Sequence, residues 1–164
     1  MAAPNTILRS VRAEDELFMR RLYASTRADE MALTGWPVEQ QDTFLQMQFN
    51  AQRQYYCEQF PAADYQIIQC AGTDIGRLIV WRAANEMLLM DIALLPEYRN
   101  HGIGTALIEG LMAEAAQTGR PLRLHVEFLN PALRLYERLG FAKIGEMGIY
   151  SELEWRPVGI EGHG

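Results

Sequence analysis

The sequence predicts an α/β (α+β) domain in which a mixed, mostly antiparallel central sheet is flanked by helices. Three observations carry that expectation. Short apolar runs divided by turn residues follow one another from Asp64 to Leu95, which is the pattern of antiparallel strands. An apolar repeat at helical spacing begins at Gly102 and Gly104 and leads to another short apolar strand, which calls for at least one parallel crossover. A further helix and two strand-like runs then close the chain at Trp155.

Taken in order, Thr6 to Val11 alternates around Ile7 and Leu8 as a first strand. Arg12-Ala13-Glu14-Asp15 then offers acidic residues to the first turn of a helix through Leu17, Phe18, Leu22 and Tyr23. Gly35-Trp36-Pro37 interrupts the chain, and Phe44, Leu45, Gln48 and Gln52 fall on a second helix ending near Pro61. Tyr65–Ala71, Ile75–Ala83 and Met87–Leu95 form a meander, with Gly72-Thr73-Asp74 and Ala84-Asn85-Glu86 at its turns. The helix after Gly104 carries Leu107 and Leu111 until Gly119-Arg120-Pro121 stops it, and Leu122–Val126 is a short buried strand. Asn130 caps and Pro131 opens a last helix that runs through Leu133, Tyr136 and Leu139 to Gly140. Phe141–Gly145 and Ile149–Trp155 are the closing pair of strands.

A chain of 164 residues fits one domain, 1–164, able to bury about two-thirds of its unfolded surface in a single core. That core is expected over 6–156, with a loose tail over 157–164 marked by Gly159, Gly162 and Gly164. Met1-Ala2-Ala3-Pro4-Asn5 does not read as a secretory leader, and no apolar run reaches the ~20 residues that span a bilayer. Cys57 and Cys70 show no CxxC spacing, so reduced thiols and a cytoplasmic location are expected. A net charge of −6 argues against a nucleic-acid face and is compatible with a cationic substrate.

The sharpest local feature runs from Ile92 to Leu107. A strand passes through Pro96-Glu97-Tyr98 to Arg99-Asn100-His101-Gly102-Ile103-Gly104-Thr105 and into an amphipathic helix. Backbone N–H groups can converge on an anion there without Cβ atoms in the way, and a diphosphate is the natural ligand. The run is not a Walker A loop, since no Gly-Lys-Ser/Thr follows, and not GxGxxG, since Leu107 takes the third place. On its own, a plain turn explains the two glycines equally well.

This run resembles the GNAT N-acetyltransferase family, whose loop reads Arg/Gln-x-x-Gly-x-Gly/Ala, as Arg99 to Gly104 do here. A second family-like segment lies downstream, from Asn130-Pro131-Ala132-Leu133 through Tyr136 to Gly140-Phe141. The resemblance is specific over 87–145, while the first sixty residues agree only in element order. It implies the GNAT fold, acetyl-CoA as cosubstrate, no metal, and direct transfer of acetyl to an amine in a ternary complex. It also implies that Ile92, Ala93 and Leu94 bind the pantetheine arm and that Arg99, Asn100, His101, Gly102, Ile103, Gly104 and Thr105 hold the diphosphate.

The same resemblance suggests roles for Tyr136, Asp91 and Asn130, and residue type and spacing suggest others. Tyr136 matches the general acid that protonates the departing thiolate, although its ring also suits a core position. Asp91 matches the place of an acidic base and reads equally well as a paired surface aspartate; Glu127 and His125 are weaker candidates. Asn130 matches a pantetheine contact, one residue closer to Tyr136 than usual, and helix capping explains it as well. Arg134 and Arg138 share a helix face toward the adenosine phosphates or toward solvent. Trp36, Trp81, Tyr55 and Tyr56 wall the acceptor pocket or fill the core. The acceptor is a small-molecule or protein amine, a homodimer is compatible with the family, and a noncatalytic CoA-binding or partner-binding module is the rival reading.

Overall fold

The computed structural model describes residues 4–158, so Gly159, Gly162, Gly164 and the first three residues of the chain lie outside the described part. The elements are β1 (Thr6–Ser10), α1 (Glu16–Thr26), α2 (Ala28–Ala32), α3 (Val38–Gln59), β2 (Asp64–Cys70), β3 (Thr73–Arg82), β4 (Met87–Leu94), α4 (Ile103–Thr118), β5 (Leu122–Glu127), α5 (Ala132–Arg138), β6 (Ala142–Met147) and β7 (Tyr150–Trp155). Among the described residues, seven strands form one sheet in the order β1-β2-β3-β4-β5-β7-β6. Only β4 and β5 run parallel, joined by the α4 crossover, so the sheet is mixed and mostly antiparallel as expected.

The N-terminal third departs from the expected pair of helices. A short α2 stands between the two long ones, and α3 begins at Val38, directly after Pro37. Proline supplies a ready helix start there, its missing N–H costing nothing at a first turn, so α3 gains a turn and a half upstream of its apolar repeat. Before α1, a 3₁₀ turn over Ala13–Asp15 is fixed by the Asp15 carboxylate. That carboxylate accepts two hydrogen bonds from Arg9, at 2.7 and 2.8 Å, and one from the Arg12 backbone N–H at 2.7 Å. Arg9 also donates to Asp74 at the start of β3, and the bonds from Arg9 and the Arg12 N–H hold the buried Asp15 at a pKa of about 2.

β3 is buried from Ile75 to Val80, which requires cover on both faces of the sheet. Leu78 and Val80 join the main core, into which α4 inserts Ile103, Ile108, Leu111 and Ala115 and α5 inserts Tyr136. The alternate residues Arg77 and Ile79 turn the other way, where Arg77 meets Gln52 of α3. A smaller cluster of Tyr23, Met31, Leu45 and Phe49 holds α1, α2 and α3 together.

Two irregularities in β4 set up the site. The β3–β4 register shifts between Ile79 and Val80, leaving Met90 as the extra residue of a bulge. Parallel pairing with β5 covers only Met87–Leu89 against Leu122–Leu124, so the two strands part beyond Leu89. Gly76 permits the path that β4 then takes, because a Cβ there would stand 2.2 Å from the Ala93 carbonyl oxygen.

Candidate active site

Where β4 leaves β5, its backbone is free on one side. The Leu95 N–H donates to the Ile75 carbonyl at 2.8 Å, so strand alternation points the Ala93 N–H toward β3 as well. The N–H groups of Ile92 and Leu94 therefore face the gap. Arg99 reaches the same side, its Nε donating to the Leu94 carbonyl at 2.9 Å and its Nη2 to Ser25 of α1 at 3.3 Å.

The loop beyond β4 uses two left-handed residues, Asn100 at φ 63° and Gly102 at φ 80°. They turn the chain so that α4 starts with the N–H groups of Ile103, Gly104 and Thr105 unspent, Ala106 being the first to bond back, to the Gly102 carbonyl. No acidic side chain occupies that first turn. A Cβ added at Gly104 would meet nothing within 4 Å, so the backbone N–H groups there front open space.

That space belongs to a cleft of ≈ 920 Å³ lined by Ile92, Ala93, Leu94, Arg99, Asn100, Gly102, Gly104, Thr105, Asn130 and Tyr136, with Arg134 and Arg138 along α5. Two residues expected at the cofactor loop behave differently. His101 is exposed and lies outside the cleft's lining, while the Ile103 side chain is 1% exposed in the core and leaves only its N–H to the loop. Asn130 caps α5, its side-chain oxygen accepting the Ala132 N–H at 2.9 Å, and still lines the cleft.

A second cleft, of ≈ 730 Å³, opens on the α3 side and is walled by Tyr55, Tyr56, Phe60, Met147 and Tyr150. The two meet where Tyr23, Arg27, Gln52, Asp91, Ile92, Glu127, Asn130 and Tyr136 line both. His125 lines only the second. Trp36 and Trp81 line neither: Trp36 packs on Phe44 and Trp81 on Phe60, with ring centroids 5.4 and 5.3 Å apart. Cys57 and Cys70 are likewise outside both linings.

At the junction Tyr136 is 7% exposed, its ring packed edge-on against Phe141. Burial, aided by the charge of Asp91, pushes its phenol up to about 12, so it is protonated throughout the neutral range. Asp91 is a paired carboxylate: its Oδ2 accepts the Arg77 Nε–H at 2.6 Å, and Arg77 in turn donates to Gln52 at 2.8 Å. Tyr56 donates its hydroxyl to the carbonyl of the bulged Met90 at 3.3 Å, and burial raises its pKa well above the usual phenol range. Arg27 lies over the Tyr23 ring at 5.3 Å and faces Glu30 at 3.2 Å and Glu127 at 3.8 Å.

Sequence reasoning missed Arg27, Arg77, Gln52 and Tyr150. Only Arg77 carried a signal, since an arginine inside the apolar run Ile75–Trp81 is buried and must find a carboxylate. Among the described residues, no group of three or more His, Cys, Asp or Glu side chains is placed to hold a metal ion.

Residues 61–143, just over half of the chain, match the family model of the acetyltransferase (GNAT) domain. The chain belongs to the GNAT acetyltransferase family. No curated protein matches it by sequence. Solved structures show the same fold over nearly the whole GNAT chain. The PaiA N-acetyltransferase of Thermoplasma acidophilum, solved with coenzyme A, superposes with a TM-score of 0.70 at 18% identity, over 93% of this chain and 99% of its own. An acetyltransferase of Thermus thermophilus gives 0.66 at 18% over 95% and 99%, and the ribosomal-protein-S18-alanine N-acetyltransferase of Escherichia coli 0.58 at 21% over 92% and 91%. The GNAT family match begins after α3, so the helices that form one wall of the second cleft lie outside it.

Proposed function

We propose that this GNAT domain transfers an acetyl group from acetyl-CoA to a primary amine by direct attack within a ternary complex. One observation carries the reading: the two clefts meet at Tyr136, beside the unpaired edge of β4. A thioester laid along that edge and an amine entering from the α3 side would reach each other there. Coenzyme A in the PaiA structure supports the choice of donor.

In this reading the N–H groups of Ile103, Gly104 and Thr105 hold the diphosphate, with Arg99, Arg134 and Arg138 alongside. The pantetheine arm runs along Ile92 and Leu94, and the Leu94 N–H donates to the thioester oxygen as charge builds on it. The acceptor's ammonium gives one proton to Asp91 or to water, and the neutral amine so formed attacks the carbonyl carbon. A C–N bond forms and the C–S bond breaks; Tyr136 gives its proton to the departing sulfur, and the proton then lost by the nitrogen of the new amide restores the phenol through solvent. Arg77 holds one oxygen of Asp91, leaving the other for the amine. Bringing the two reactants together supplies a large part of the acceleration.

Calorimetric titration with acetyl-CoA, followed by thiol release against a panel of amines, tests the proposal. Binding with amine-dependent release is expected. Binding without release on any amine would leave a noncatalytic CoA-binding module, and no binding would remove the reading altogether.

A further inference from the structure

The second cleft differs along its length. Its charged lining groups, Asp91, Glu127 and Arg27, all sit at the junction, and Arg27 is already faced by the carboxylates of Glu30 and Glu127. Away from the junction the lining is apolar and aromatic apart from Gln48 and His125, with no carboxylate among the described residues. Tyr56 is anchored through its hydroxyl to the Met90 carbonyl, and Tyr55 stands against it with ring centroids 6.1 Å apart. In the same lining Tyr150 and Met147 are 43% and 64% exposed, and Tyr55 is 57% exposed. Large side chains left open around the mouth of a concave site mark where a ligand's apolar body is covered.

From this we infer that the acceptor is a monoamine with an apolar, ring-bearing body, an aralkylamine. Its ammonium sits at the junction beside Asp91, and its ring lies between Tyr55 and Tyr56 on α3 and Tyr150 on β7. A polyamine is disfavoured because its outer ammonium groups would meet no carboxylate in the cleft. A zwitterionic amino acid is disfavoured because both arginines near its carboxylate are already matched, Arg27 by Glu30 and Glu127 and Arg77 by Asp91. An unpaired charge costs most at the buried junction and least at the exposed mouth, so the zwitterion is disfavoured by the cost of an unmatched carboxylate and the polyamine by the absence of any gain from its outer charges. The inference rests on the acetyl-transfer reading for the meaning of the cleft, yet it is tested separately from it.

The test is calorimetric titration of the whole chain, saturated with CoA, using phenethylamine, spermidine, phenylalanine and a tripeptide with a free N-terminus as probes. Phenethylamine is expected to bind at least about tenfold more tightly than the other three. Tyr150→Ala and Tyr55→Ala, each at an exposed position, are expected to weaken phenethylamine by about tenfold while leaving CoA affinity unchanged. Equal or tighter binding of spermidine, phenylalanine or the peptide overturns the inference, as does a protein that binds CoA and no phenethylamine. Phenethylamine selectivity in a protein that fails to bind acetyl-CoA would uphold the cleft's preference and remove the acetyl-transfer reading instead.

Discussion

The two clefts are built from different materials. The one at the head of α4 is made of main chain, with three free N–H groups, an unpaired strand edge and a glycine whose missing Cβ leaves room. The one beneath α3 is made of side chains drawn from α1, α3, β4, β5 and the β6–β7 hairpin. A backbone site tolerates many substitutions and fails only where a Cβ or a wrong dihedral intrudes. A side-chain site changes its preference with each residue, which lets one fold serve many acceptors.

The largest effect should come from Tyr136, one of the residues that line both clefts. Tyr136→Phe keeps the ring against Phe141 and removes the proton, so kcat should fall by ~10²–10⁴-fold while calorimetric CoA affinity stays the same. An unchanged kcat would return Tyr136 to a packing role.

Gly104→Asp is the sharper test of the main-chain cleft. Its carboxylate would enter the space assigned to the diphosphate, so CoA affinity should drop by roughly 100-fold. An acid in the first turn of a helix is favourable, so the melting temperature should hold or rise. A fall in melting temperature would mean that the space at Gly104 serves the fold.

A smaller change is expected from the pair Arg134→Gln and Arg138→Gln, which are exposed on α5 along the same cleft. The KM for acetyl-CoA should rise about 3–10-fold at low ionic strength, and the gap should shrink as salt screens the charges. The KM for the amine should not move, because neither arginine lines the second cleft.

Asp15 lies outside both clefts and affects stability alone. Its folded pKa of about 2 is below its ordinary 3.8, so the stabilisation is complete above pH ~4 and is lost as pH falls toward 2. Asp15→Asn should cost roughly 1–2 kcal/mol at neutral pH and flatten that acid slope, read by urea melts across the pH range, with kcat unchanged.

The same contrast explains what the sequence disclosed. Arg99 to Gly104 is contiguous, and a main-chain anion site must be contiguous, so its glycines and the helix behind them could be read directly. The strands of the meander were legible for a related reason, since each apolar run is bounded by its own turn residues. Met90 as a bulge was not, because a bulge is a mismatch with β3 and exists only once the two strands are paired. Nor was the parting of β4 from β5, which decides that Ile92 and Leu94 face a gap. Tyr136 was found only through its resemblance to a family position, and nothing local distinguishes it from a core tyrosine. Arg27, Gln52 and Tyr150 come from three segments far apart in the chain, and only tertiary packing brings them to one cleft.

The central claim is that donor and acceptor occupy their two clefts together and react without an enzyme-bound acetyl group. Initial rates measured with acetyl-CoA and amine varied against each other test it most directly. The account predicts double-reciprocal lines that intersect, as a ternary complex requires; parallel lines, the sign of a covalent acetyl-enzyme, would contradict it.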